Sequence, residues 1–186
     1  MVDSAGYMAI SATTSAFDIG LKEMCGCTGL FVVNPNGIYF AHYFEDPSFT
    51  PRANFAPNVL NFLSTPGGMN GFPSLQDHIG VLNDPNTRTF IITPQKYRGE
   101  GSGPSGQKKP QYLNQLNDLK NTIQGLLPLA QNPVEYLYRA PNKRTPHGQS
   151  LMTTTSRGRA LFEYDPTNVA PTPIMRLYFE TIQQLP

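Results

Sequence analysis

The sequence predicts an α+β fold, a β-sandwich-like mixed sheet flanked by two or three helices. Three observations carry this expectation. Runs of β-branched and aromatic residues recur along the chain, and two of them flank an Asn-Gly turn signal at residues 34–37. Apolar residues at helical spacing occur in only a few segments. The 18 prolines and a charged fraction of 15% mark a loop-rich globular chain, not one built from long helices. At 186 residues, 39% of them hydrophobic, the chain suits a single domain over residues 1–186 with a core of its own.

Taken in order, residues 7–16 are predicted as a first strand, and 17–27 as irregular around Gly20 and Gly26. Two strong β-runs follow, Gly29–Val33 and Ile38–Phe44, and the Asn34-Pro35-Asn36-Gly37 turn makes them a hairpin. Phe55, Val59, Leu60, Phe62 and Leu63 predict a helix over about 54–64, ended by Thr65-Pro66-Gly67-Gly68. A shorter helix is expected from Ser74 to Leu82, and a strand from Thr87 to Thr93, stopped by Pro94. Residues 96–110 are rich in Gly, Ser and Lys and read as a mobile surface loop. Leu113, Leu116, Leu119, Ile123, Leu126 and Leu127 form the clearest apolar stripe, a helix over 111–127. Strands are then expected at Val134–Arg139, Leu151–Thr155 and Arg159–Tyr164, with a polar loop at 140–150. The last segment, Ile174–Ile182, reads as a strand turning into a short helix.

Charge excludes several function classes. The formal net charge is +1, so no strong field draws the chain to nucleic acid or an anionic membrane. Lys108-Lys109 and Lys143-Arg144 are small basic clusters without interleaved aromatics and read as solvated faces. No apolar run approaches the roughly 18 residues of a membrane span. The N-terminus lacks the basic start and apolar stretch of a signal peptide, so the expected location is cytoplasmic, or delivered or secreted without a visible signal.

The cysteines point to chemistry. Only Cys25 and Cys27 are present, and a bridge between them would close a small, strained ring, so both are read as free thiols. A nucleophilic thiol, with an ordinary pKa near about 8.5, needs a base or dipole beside it to ionise at neutral pH. The hairpin brings a candidate. If Val33 faces Ile38, then Gly29 faces His42, and Cys27 and His42 are diagonal neighbours on one face, their Cβ atoms roughly 7–8 Å apart. Gly29 would leave space opposite the histidine. If instead Asn34 faces Ile38, Leu30 faces His42, and the pairing survives only with Cys27 in a turn before the strand. That turn would free the backbone N–H groups of Thr28 and Gly29 for an oxyanion hole. The bland alternative is a buried cysteine and a core histidine. A zinc site from Cys25, Cys27 and His42, completed by His78 or His147, has an uncommon Cys-x-Cys spacing, and no metal or cofactor is expected. Gly99, Gly101 and Gly103 lack the strand and helix of a dinucleotide loop.

The stretch GCTGLFVV…GIYFAHYFE, within residues 25–46, resembles the catalytic hairpin of cysteine deamidases, a group that includes CheD-type chemotaxis-receptor glutamine deamidases and the cytotoxic necrotizing factor toxins. FEYDP at 162–166 and RLYFE at 176–180 also look like uncharacterised proteins of filamentous fungi. The first resemblance implies a deamidase-like β-sandwich. It also implies a toxin or effector whose partner is a protein with an exposed glutamine. Cys27 would attack the carboxamide, and His42 would serve as base and then acid. Several members carry a threonine six residues before the cysteine to orient the histidine; here that position is Leu21. Thr13, Thr14 and Ser15, or a main-chain carbonyl, are the substitutes considered. Transglutamination, and a non-catalytic module on the same scaffold, are the competing readings.

Overall fold

The computed structural model describes residues 3–10, 13–96, 108–142, 144–166 and 173–185. Its strands are β1 (Ser4–Ala9), β2 (Phe17–Leu21), β3 (Thr28–Asn34), β4 (Gly37–Tyr43), β5 (Arg88–Pro94), β6 (Val134–Tyr138), β7 (Ala160–Asp165), β8 (Ile174–Phe179) and β9 (Ile182–Leu185). They form two sheets, one ordered β1-β4-β3-β5-β6 and one ordered β2-β7-β8-β9. The first is mixed: β6 joins β5 in parallel, and every other pairing in it is antiparallel.

Strand β3 explains the layering. It reads Thr-Gly-Leu-Phe-Val-Val-Asn and is buried at all seven positions, as a central strand covered on both faces must be. Alternate residues feed two cores. Leu30 and Val32, with Tyr39, Ala41 and Tyr43 of β4, face the helices. Phe31 and Val33, with Ile38, face the second sheet and meet Ile19, Phe162, Leu177 and Phe179. The molecule therefore has three layers, helices, five-stranded sheet and four-stranded sheet, as a mixed α+β domain.

The helical layer is made of short pieces. A π-helical turn at Ala56–Leu60 runs into α1 (Asn61–Ser64), and a 3₁₀ turn at Gln76–His78 runs into α2 (Ile79–Leu82). The long helix α3 (Leu113–Leu126) crosses from β5 to the parallel β6. Leu116, Leu119 and Ile123 form its buried stripe, whereas Leu113, predicted on that stripe, is 49% exposed. Among the described residues no helix is long and apolar enough to cross a membrane.

Three local expectations are corrected. Residues 17–21 are not irregular but form β2, because Ile19 and Leu21 gain a partner strand, β7, from far along the chain (Leu21 pairs with Ala160 and Phe17 with Tyr164). Leu151–Thr155 is not a strand but the C-terminal part of helix α4 (Pro146–Thr154) and its cap. Thr145 caps that helix, accepting from Gly148 N at 3.1 Å, and Pro146 takes the first turn. The β-branched threonines that read as strand instead donate back into the helix, Thr154 Oγ1 to Ser150 O at 2.7 Å. The C-terminal segment holds no helix: β8 turns at Glu180, in the left-handed region at φ 56°, into β9. Most of the Gly/Ser/Lys loop, 97–107, lies outside the described residues; its base is closed by a bridge between Gln95 and Pro110.

Candidate active-site hairpin

The register of the β3–β4 hairpin is the first of the two considered. Val33 pairs with Ile38, Gly29 with His42 and Thr28 with Tyr43. Asn34 pairs with Gly37, so the turn proper is Pro35-Asn36. Asn34 builds it: its Oδ1 accepts from the backbone N–H of Asn36 (2.9 Å) and Gly37 (3.0 Å). Its Nδ2 donates to Val81 O (2.8 Å) and Thr87 Oγ1 (3.0 Å), which ties the turn to the helical layer.

Alternation then sets the faces. His42 lies between Ala41 and Tyr43, which face the helices, so it projects toward the second sheet. Cys27 belongs to that same intersheet core. The thiol and the imidazole therefore share a face, one diagonal apart. They are not joined. His42 Nε2 is buried and has no hydrogen-bond partner, so it takes no proton from the sulfur in this state. Its ring leans on Phe44, centroids 4.8 Å apart. Burial lowers the pKa of His42, with the charge of Glu23 opposing the shift. The space opposite the histidine is not free. A Cβ on Gly29 would stand 2.7 Å from Leu21 Cδ1 and 2.9 Å from Ile92 Cγ2, so side chains from β2 and β5 already fill it.

Cys27 sits just before β3, after a bend at Cys25 and Gly26. Gly26 has φ +128°, a region closed to most side chains, and the Glu45 carboxylate occupies the place a Cβ would take. Tyr138 locks the bend: its hydroxyl accepts from Gly26 N (3.0 Å) and donates to Cys27 O (2.8 Å). The thiol is 4% exposed. Burial pushes its pKa up to about 11, and the nearby Cys25 and Glu45 charges add to this. The backbone N–H groups of Glu45 and Cys25 act against it. Cys25 is half-buried.

Thr28 and Gly29 are inside β3, paired with Tyr43 and His42 and buried, not in a free turn, so the ladder competes for their N–H groups. Thr28 Oγ1 hydrogen-bonds Thr93 Oγ1 at 3.0 Å. Thr13, Thr14 and Ser15 cannot orient His42. They follow the end of β1 where Ala9 pairs with Gly37, whereas His42 pairs with Ser4 at the opposite end. Five residues of strand, roughly 17 Å at about 3.4 Å each, separate the two ends. Thr13 Oγ1 instead donates to Ala9 O at 2.8 Å. Leu21, six residues before Cys27, is an intersheet packing residue. His78 stacks on Tyr7, with centroids 3.7 Å apart, and His147 is exposed, so neither meets the cysteines. Among the described residues no group of three or more His, Cys, Asp or Glu side chains is placed to hold a metal ion.

Sequence reading missed Glu45. Its Oε1 accepts from Tyr112 Oη and from Gln111 Nε2, the latter at 3.1 Å. Gln111 Nε2 also reaches Tyr112 Oη at 2.8 Å. This polar cluster flanks Cys27, and no local pattern announces it, because its members are 66 residues apart. In comparisons with known proteins, no family model, curated protein or solved structure matches this chain.

Proposed function

We propose that the protein is a cysteine-dependent amidohydrolase of deamidase-like fold, converting protein glutamine side chains to glutamate, with Cys27 as nucleophile and His42 as base. One observation carries this reading: His42 Nε2 is buried and unpartnered on the sheet face it shares with Cys27. A buried polar nitrogen left without a partner costs about 1–3 kcal/mol, and a pending proton transfer is one reason to keep it. Catalytic hydrogen bonds are often unmade before substrate binds. Cys27 lies just before β3 and outside its ladder, so turning its side chain toward the imidazole breaks no β3 pairing.

His42 accepts the thiol proton as the sulfur adds to the carboxamide carbon. The resulting imidazolium gives that proton to the departing ammonia, leaving a thioester. Water, deprotonated by His42, attacks the thioester; the product is glutamate, and the proton returns to the thiol. An amine in place of water would give transglutamination. The substrate is a protein with an accessible glutamine, and a role as toxin or effector follows from the resemblance alone.

A second reading has its own observation. A thiol 4% exposed and pushed up to about 11 is what a packing cysteine shows, and it supports a non-catalytic binding module. Iodoacetamide separates the two. Under the catalytic reading, peptide mass spectrometry near neutral pH finds Cys27 alkylated much faster than the more exposed Cys25. Slow labelling of Cys27, at or below the rate of Cys25, favours the binding module.

A further inference from the structure

On the helical side of the hairpin, away from Cys27, a cavity of about 220 Å³ opens beside the first described residue. Asp3, Ser48, Asn58 and Asn70 give it a polar wall, and Phe62 and Met69 an apolar one. Asp3 is only 6% exposed and Ser48 only 2%. The carboxylate is held in place from two sides: Oδ1 accepts from Phe44 N at 2.7 Å, and Oδ2 from Ser48 Oγ at 2.5 Å. Each oxygen keeps a second acceptor site. Among the described residues no lysine, arginine or histidine pairs with it.

We infer that this cavity binds a small primary alkylammonium ion, with the ammonium on Asp3 and the alkyl chain against Phe62 and Met69. A buried carboxylate without a cation is costly, and an opposing charge with good hydrogen-bond geometry offsets part of that cost. An ammonium offers three donors. Asp3 takes one, and Asn58 and Asn70, which line the same cavity, carry amide oxygens that can accept the others. A hard divalent cation wants six or more oxygens and no apolar wall, which this cavity does not offer. The volume is below the roughly 300–1,000 Å³ of drug-sized sites, so the ligand is small. Burial raises the pKa of Asp3, in keeping with a site that awaits a positive partner. This inference does not depend on the chemistry of Cys27.

The test is calorimetric titration of the full chain with n-butylammonium chloride at neutral pH, with 1-butanol as the neutral counterpart. Saturable binding of butylammonium is expected, with butanol weaker by about tenfold or more. Asp3→Asn, which keeps the acceptor for Phe44 N–H, is expected to lose a similar factor. Should that variant fail to show a cooperative melt, Asn58→Leu fills the cavity without touching the Asp3 bonds and is expected to abolish binding. No butylammonium binding, equal affinity for butanol, or undiminished binding in a folded variant overturns the inference.

Discussion

His42 holds the most telling balance of forces at the scale of single residues. Burial favours its neutral form, and Glu23 opposes this only in part. The native chain therefore binds the His42 proton less readily than the unfolded chain, whose value is about 6.5. Stability is unaffected by this group above that pH and falls as pH drops through the lower native value. The pKa of His78 is lowered in the same direction, again by burial first. We expect urea midpoints to decline as pH falls below about 6.5, and His42→Gln to remove part of that decline, with His78 contributing another part. An unchanged slope in His42→Gln would mean that the imidazole is not desolvated as described. The diagonal relation of Cys27 and His42 followed from one of the two registers that turn chemistry left open, and the pairing of Gly29 with His42 selects it. What fills the space over Gly29 was not, because Leu21 arrives from the other sheet.

Elements were legible where local pattern and tertiary packing agree. The hairpin and α3 are such cases: Asn34 makes its own turn, and Leu116, Leu119 and Ile123 repeat at helical spacing. Legibility failed where a distant partner or a side-chain bond decides. Strand β2 exists because β7 pairs with it, and the threonines of α4 satisfy their hydroxyls on the helix's own carbonyls. The stripe on α3 gives a graded test. Leu119→Ala removes a fully buried side chain and is expected to cost about 2–5 kcal/mol. Leu113→Ala, at a position 49% exposed, is expected to stay within about 0.5 kcal/mol. Chemical denaturation of both variants checks this; similar losses at the two sites would mean that α3 packs on a different face.

The whole molecule sets the problem that any chemistry must solve. The central strand β3 is sealed between two cores, and Cys27 stands at its entrance with its thiol buried beneath Glu45, Tyr112 and Tyr138 contacts. The same layering that fixes the hairpin register keeps the sulfur from water and raises its pKa in this state. Nothing in composition or spacing conveys that enclosure, since Tyr112 and Tyr138 come from distant parts of the sequence. The catalytic reading requires the sulfur to reach the imidazole and ionise through it. The pH dependence of Cys27 alkylation, followed by peptide mass spectrometry in the wild type and in His42→Ala, tests this most directly. The account expects a wild-type inflection below the ordinary thiol value of about 8.5, moving upward in His42→Ala. A rate that climbs only toward about 11, and identically in both proteins, would contradict it.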